Sequence, residues 1–440
     1  HKWNSTNLKT NILHPKRKKY ELLKTMKNKA LYFTIFFLFI ASGSYMVKEA
    51  TSLPTLSWMD IYSTNFFLTI SFRDIAFFFM ELRVPIPPVL GLAEIISIKT
   101  TGTTEIITNY FYKISLISSY LIAIFLAQKS KSRLIISALV SIVFLYSTIQ
   151  IHPGNPQLYD VALPFFFLLY VLLLKQATKN DNMSRGKALF LALFSGFCLS
   201  MAELSRPFVI YIMPLLIVLG YFKFKENNYY KYQYLFFLTP IILFSGIWHL
   251  HLFFNLDQIT LSNHSGFNLI RAWNIDQDNI AMLSENPPPL EGGGGGRNIN
   301  TAIHNENSKT LQKAVLEYWV NHPKTTFFRM LERVNDLLSA KTRIYGHKPT
   351  SKIFSLYKLI VQITSSILIV SFIQLTIQAF KYSSLKPLIQ SLTRPDTLII
   401  LFALYCLLIL SIGDAGEEAR FLITILPLLA TIPIFTTENK

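Results

Sequence analysis

The chain has 440 residues, of which 51% are apolar, and its formal net charge is +17. Its many charge-free stretches approach the roughly 20 residues that cross a bilayer, which argues against a soluble domain. The excess of Lys and Arg lies in short connections beside these stretches, so membrane topology and anionic headgroups explain it better than nucleic acid does. The two cysteines, Cys198 and Cys406, both lie within apolar stretches and form no spaced pair, which argues against a disulfide framework or a thiolate metal site.

Ten apolar runs along the chain are long enough to predict membrane-spanning helices. The first follows a basic segment, residues 1–30, and lacks a small-residue cleavage pattern, so we expect it to stay as an anchor. Spans 1 to 7 are predicted within 31–254, and spans 8 to 10 within 356–440. In chain order the predicted spans are 31–47, 111–127, 134–151, 160–174, 187–203, 207–222, 233–254, 356–380, 396–412 and 420–436.

The connections between the runs sort by the sign of their charges. This alternation is the positive-inside pattern, and it predicts a multi-pass protein with both termini in the cytoplasm; we expect a bacterial inner (plasma) membrane. The basic connections carry Lys16–Lys19, Lys129, Lys131, Arg133, Lys175, Lys179, Arg185, Lys187, Lys223, Lys225, Lys231, Lys381, Lys386 and Arg394. The acidic connections carry Asp60, Asp74, Glu81, Asp160, Glu203, Asp414, Glu417 and Glu418.

Two long connections are predicted on the extracytoplasmic side. Residues 48–110 contain two apolar stretches, Phe66–Leu68 and Ile75–Met80, which are too short to cross and suit amphipathic helices lying along the membrane surface. Residues 255–355 form the largest polar block, and helical spacing of apolar residues predicts a helical insert there. Within that block the proline- and glycine-rich run 287–296 predicts a mobile segment.

Carboxylates in the first long connection are candidate catalytic groups. Asp60 follows the first span, and a carboxylate there can take a proton from an acceptor hydroxyl or amine. A solvated loop aspartate is the alternative. Asp74 lies beside Arg73, so a structural ion pair competes with a catalytic role, and Glu81 is expected to line the same site.

A second group of candidates lies where other spans begin or end on the same side. Asp160 either lines the site or meets the N-terminal dipole of the fourth span. Arg206 follows Glu203 in a short hairpin, and it either pairs with that carboxylate or presents its planar guanidinium to a phosphate. Glu418 and Arg420 enter the last span from outside, where Arg420 is either a phosphate clamp or a snorkelling interfacial side chain.

The sequence gives no reason to require a cofactor. It contains no HExxH or CxxC pattern, and no P-loop lysine follows Gly292–Gly296. A protein-built metal site is therefore not expected. A divalent cation held by carboxylates stays an open alternative.

In their order along the chain, these motifs resemble the GT-C superfamily of polyprenyl-phosphate-sugar-dependent glycosyltransferases, which includes protein O-mannosyltransferases and aminoarabinose transferases. The resemblance covers most of the membrane part and is weak over 255–355. One departure is that Ile61 follows Asp60, where many relatives have a second acid. The residues that carry the resemblance are Asp60, Pro87–Pro88, Asn155–Tyr159, Ser205–Pro207, Glu418–Phe421 and Pro427.

The resemblance implies an all-α polytopic bundle of about ten transmembrane helices, with interfacial helices in the first outer loop and a helical periplasmic insert. It implies inverting transfer of a sugar from a polyprenyl-phosphate carrier to a lipid, glycan or protein acceptor at the extracytoplasmic face. The implied roles are Asp60 or Asp74 as base, Arg420 and Arg206 at the donor phosphate, and Glu81, Asp160, Glu203 and Glu418 lining the site.

Two other functions remain open. A lipid-linked-sugar flippase or transporter would use a similar bundle, but coupled transporters place ionisable groups or broken helices near the midplane, and the apolar runs carry no charge in their interiors. An O-antigen ligase or polymerase would instead place its site in the insert. That site would use His264, Arg271, His322, Arg329, Arg333 and Arg343.

Overall fold

The chain is helical wherever its structure, a computed structural model, is described. Within that part of the chain there is no β-strand. Helices are the expected outcome in lipid, because every backbone N–H and C=O must find its partner inside the segment. The described residues are 30, 32–42, 88–103, 105–127, 131–151, 158–178, 183–227, 229–256, 269–270, 273, 301–338, 352–382, 384–413 and 418–431.

Fifteen α-helices are numbered here in chain order over the described residues. The first eight are α1 (Tyr32–Ser42), α2 (Pro88–Thr101), α3 (Glu105–Leu126), α4 (Lys131–Ile151), α5 (Leu158–Ala177), α6 (Arg185–Ser205), α7 (Met213–Phe224) and α8 (Tyr230–Pro240). The others are α9 (Ile247–Leu256), α10 (Thr301–Asn321), α11 (Pro323–Leu338), α12 (Lys352–Lys381), α13 (Leu385–Leu392), α14 (Pro395–Gly413) and α15 (Glu418–Leu429). A 3-10 helix (Pro207–Tyr211) precedes α7, and a π-helical turn (Ile241–Gly246) joins α8 to α9.

Seven helical segments of the described residues are long and apolar enough to cross a membrane, which makes the chain a polytopic helical membrane protein. One of the seven, Tyr230–Phe254, is formed by α8, the π-helical turn and α9 together. They correspond to the predicted spans 2 to 5 and 7 to 9. The predicted spans 1, 6 and 10 fall on α1, α7 and α15, which are shorter helices. In the sixth, Pro207 and Pro214 each fall within the first two residues of a helix, so the predicted run is divided into a 3-10 turn and a separate α-helix.

Helix α5 forms the centre of the bundle. It packs against α2, α3, α6, α7, α14 and α15. Its side chains Leu163, Phe167 and Val171 are fully buried, and the Phe167 ring stacks on Phe402 of α14 with centroids 3.6 Å apart. Such close contacts hold helices together in lipid, where apolar burial alone gives little preference for protein over acyl chains.

Helices α6 and α8 meet at a glycine. A Cβ atom added at Gly196 would lie 2.0 Å from the carbonyl oxygen of Phe237 and 2.9 Å from the Pro240 ring. A backbone atom cannot move aside as a flexible side chain can, so a side chain at this position would push the two helices apart.

We therefore expect Gly196→Ala to lower the stability of the folded protein by about 1–3 kcal/mol through overpacking. The measurement is thermal unfolding of the purified protein in nanodiscs. Gly186→Ala in the same helix is the matched control, because nothing lies within 4 Å of its added Cβ. Equal unfolding midpoints for the two variants would contradict the close approach.

The two ends of the bundle differ in charge. We call the acidic end the one that holds Asp160 at the start of α5 and Glu203 near the end of α6. At the opposite end, the basic end, Gln233 and Asn227 both donate to the Ala177 carbonyl over 3.2 Å. At this end, basic side chains flank α4, α5, α6, α7, α8, α12, α13 and α14. The described ones are Lys131, Arg133, Lys175, Arg185, Lys187, Lys223, Lys225, Lys231, Lys381, Lys386 and Arg394. The order of the helices thus places these basic residues together at one end of the bundle.

Helix α2 was not predicted from the sequence. Residues 88–101 were assigned to the first long connection, whereas they form a helix packed against α3, α5 and α6. The helix begins at Pro88, and its inner face buries Ala93, Glu94 and Ile98. The two predicted interfacial stretches, at 66–68 and 75–80, lie outside the described residues.

The insert contributes the helices α10 and α11. A small cluster packs Ile270 and Trp273 against Leu311 and Val315 of α10. Helix α11 lies on α12, α14 and α15, and so joins the membrane bundle. The predicted mobile segment, 287–296, is not among the described residues.

Candidate functional site

Four ionisable side chains meet at the acidic end; three of them are buried, and the side chain of the fourth, His249, is 14% exposed. Asp160 comes from α5, Glu203 from α6, Arg206 from the residue after α6, and His249 from α9. Asp160 and Glu203 are fully buried, and Arg206 is 8% exposed. Ionisable groups inside a membrane bundle are costly, and for that reason they mark sites of function. We call these four residues the buried cluster.

The first contact in the buried cluster is an ion pair between Arg206 and Asp160. Pro207 disfavours helical dihedrals at the residue before it, and Arg206 is extended, with φ −143° and ψ 127°. That break ends α6 and allows the guanidinium to reach the first turn of α5. Asp160 also lies where the N-terminal dipole of α5 stabilises a negative charge, as the sequence suggested.

The second contact joins Glu203 to His249. The Oε1 atom of Glu203 lies 2.6 Å from Nε2 of the imidazole. With a proton on Nε2, the imidazole donates this hydrogen bond to the carboxylate oxygen. The other carboxylate oxygen of Glu203 is buried and has no hydrogen-bond partner among the described residues. Glu203 therefore keeps one acceptor atom for a group that the described residues do not supply.

The π-helical turn brings His249 to Glu203. An α-helix repeats its face every 3.6 residues, so positions four apart drift round the helix. Here Phe237, Ile241 and Ser245 are buried at steps of four, and His249 continues the series. The N–H of Ile247 bonds to the carbonyl five residues earlier, and this wider turn absorbs the drift.

Helix α14 closes one side of the buried cluster. The Tyr405 hydroxyl donates to the Phe208 carbonyl, and the neighbouring Cys406 thiol is fully buried within electrostatic range of Arg206. These contacts bring the C-terminal half of α14 to the acidic end. Helix α15 packs against α14 and starts at the same end, with Glu418 and Arg420 in its first turn.

The insert is attached to the same end of α14. The indole Nε1 of Trp273 donates to the Ile412 carbonyl over 3.0 Å, and Arg329 of α11 donates to the Trp273 carbonyl. Arg329 therefore holds the insert onto the bundle. His322, exposed between α10 and α11, stacks on Tyr318 with ring centroids 4.5 Å apart.

Of the predicted site residues, the structure brings together Asp160, Glu203 and Arg206. The pairing of Arg206 with Asp160 was not foreseen, because the sequence suggested only its neighbour Glu203. The side chains of Glu418 and Arg420 are not described, although their helix is. Asp60, Asp74 and Glu81, and the insert residues His264, Arg271 and Arg343, lie outside the described residues.

Sequence reasoning missed two residues. His249 has no partner nearby in the sequence, and only the packing of its helix brings it to Glu203 of α6. Glu94 is 1% exposed on α2. The signal for that helix was present in Pro87–Pro88 followed by an apolar run, since proline is favoured in the first turn of a helix.

Within the described part of the chain, no three His, Cys, Asp or Glu side chains converge as metal ligands would. No protein-family model, curated protein or solved structure matches this chain. What its own residues define is a multi-pass helical membrane protein with a buried ionisable cluster at one end of the bundle.

Proposed function

We propose that the protein is an inverting GT-C-type glycosyltransferase, which moves a sugar from a polyprenyl-phosphate carrier to an acceptor at the extracytoplasmic face. The observation that carries the proposal is the buried cluster, because it gathers carboxylates and a guanidinium at one end of a lipid-embedded bundle. A donor with a phosphate leaving group needs cationic clamps and one base, without a nucleotide site.

In this proposal each residue has a distinct role. Asp60, or else Asp74, removes the acceptor proton, while Arg420 and Arg206 hold the donor phosphate. A guanidinium has five N–H donors, so Arg206 can keep Asp160 as a partner and still donate to a phosphate oxygen. Glu203 and His249 position the end of α6, from which Arg206 extends.

The experiment that tests the function uses the purified protein in nanodiscs with a polyprenyl-phosphate sugar. Transfer is expected to release polyprenyl phosphate and to place the sugar, with inverted anomeric configuration, on an added lipid or glycan acceptor. Release without transfer would indicate that the acceptor is the wrong one. If neither release nor transfer is observed with any of a panel of sugars, the proposed enzymatic activity is rejected.

Flipping of a lipid-linked sugar is the second candidate. One observation favours it: the carboxylates of Glu94, Asp160 and Glu203 are buried within the helical bundle. Movement of a fluorescent lipid-linked sugar between the leaflets of vesicles, with no release of polyprenyl phosphate, would favour transport over transfer.

For the topology we propose ten crossings with both termini in the cytoplasm, because the positive-inside rule then places each basic connection inside. We expect Gly292→Cys to react with a membrane-impermeant thiol reagent added to intact cells and Lys179→Cys to react only after lysis. The reverse pattern would overturn the orientation, and equal labelling of the two positions would refute the proposed number of crossings between them.

Arg420→Ala is expected to weaken donor use by about tenfold to a hundredfold, because a charge-assisted hydrogen bond contributes roughly 1.5–3 kcal/mol. Arg420→Lys should recover part of the loss, since lysine keeps the charge and loses the bidentate fork. The measurement is the donor concentration that gives half-maximal transfer. Arg394→Ala at the basic end is the control, and an unchanged value for Arg420→Ala in a folded protein would contradict the assignment.

A further inference from the structure

Helix α11 has an apolar stripe that is only half covered. At its C-terminal end Leu337 is 1% exposed, and Val334 packs beside it into the core of the bundle. One to three turns earlier, Phe327, Phe328 and Leu331 are 53%, 58% and 47% exposed. The helix thus enters the bundle with one half and leaves large apolar side chains open on the other.

Helix α11 packs on a helix of the membrane bundle. Helix α11 packs against α12, one of the helices long enough to cross the membrane. Near the start of α12, Leu356, Leu359 and Ile363 are about half exposed, as expected for side chains that contact acyl chains. Helix α11 therefore packs on a helix that has exposed apolar side chains of its own, which suits a placement at the level of the bilayer.

Two polar side chains of α11 turn toward the protein, whereas Glu332 and Asn335 are exposed. Arg329 turns inward to donate to the Trp273 carbonyl, and Asp336 is 1% exposed. A helix in water would expose such groups and cover its phenylalanines. Lys324, at the open end of the helix, is exposed and has a stem long enough to reach the headgroups.

We propose that α11 lies in the plane of the bilayer, in the leaflet at the acidic end, with Phe327, Phe328 and Leu331 in contact with lipid acyl chains. The occupant of the open face is thus the lipid surface itself. This placement is the one that interfacial amphipathic helices adopt, with the apolar face at the boundary of headgroups and acyl chains. It fixes the insert at membrane level, and it does not depend on the proposed enzymatic activity.

The test places an environment-sensitive bimane probe at single cysteines in vesicles of phosphatidylethanolamine and phosphatidylglycerol. Phe328→Cys and Leu331→Cys are compared with two references, Leu359→Cys for lipid and Lys313→Cys for water. The last is suitable because the Lys313 side chain is 80% exposed. The buried Cys198 and Cys406 are first replaced by alanine.

We expect the two α11 probes to emit at the short wavelength of the lipid reference and to be quenched by nitroxides carried on the upper acyl chain. Quenching by aqueous iodide, as at position 313, would overturn the proposal. Protection from both quenchers would also overturn it, because a protein partner or a second copy would then cover the face.

A measurement on the unsubstituted protein guards against variants that fail to fold. Lipids that carry a photoactivatable diazirine on the acyl chain are incorporated into the same vesicles, and the labelled peptides are identified by mass spectrometry. Labelling within Phe327–Leu331 is expected together with labelling of the exposed residues of α12. Labelling of α12 with none in α11 would refute the interfacial placement.

Discussion

Asp60→Asn is expected to lower turnover by roughly two to four orders of magnitude, because it removes a general base and keeps the shape of the side chain. Donor binding should change little, since the amide still fits the same space. The measurement is a single-turnover rate at saturating donor, together with the donor affinity of the same variant. In the proposed mechanism Asp60 is the carboxylate that an acceptor arriving from the aqueous side meets first.

Two comparisons decide what the result means. Asp396→Asn, in the first turn of α14 at the basic end, controls for the general effect of losing a carboxylate. Asp74→Asn tests the competing base. If Asp74→Asn is inactive while Asp60→Asn is active, Asp74 is the general base. Full activity in both would reject a base in the first long connection and favour a site in the insert.

Arg206→Ala should lower the free energy of unfolding by about 3–5 kcal/mol, because removing one partner of a buried ion pair leaves the other charge uncompensated. Its partner Asp160 is fully buried, so water cannot easily replace the guanidinium. Asp160→Ala should cost a similar amount. Unfolding in denaturant, followed in nanodiscs, measures both variants.

A double variant separates stability from function. Replacing both partners with apolar residues, Asp160→Leu with Arg206→Met, should restore much of the lost stability, because apolar packing can substitute for a buried pair. If Arg206 also holds the donor phosphate, the stable double variant stays impaired in donor use. If normal donor use returned with stability, the pair would be purely structural. Additive losses of stability would show that the two residues do not interact.

The features that the sequence predicted well are those encoded locally. Apolar length predicted most of the helices, and the signs of the charges beside them are the basis of the proposed topology. Both signals depend on residues close in sequence, so they need no knowledge of packing. The sixth run shows the limit, because hydropathy alone does not locate the break introduced by Pro207 and Pro214.

The candidate site was predicted only in part, since its pairings depend on which helices meet. Asp160 and Glu203 stood out as acids at the ends of apolar runs, and Arg206 as a cation in a short hairpin. The partner of Arg206 could not be read from the sequence, because it lies 46 positions away on another helix. The position of His249 beside Glu203 could not be predicted either, because it depends on the contact of α6 with α9 and on a change of helical pitch.

That change of pitch has a consequence for comparing this chain with any homologue. A homologue of the same length with an ordinary α-helix over residues 241–246 would turn Trp248 rather than His249 toward Glu203. A homologue one residue shorter there would show a single-position gap in an alignment, and the residue aligned with His249 would stay on the inner face. The Glu203–His249 pair should therefore be found only where the helix has either the wide turn or the gap.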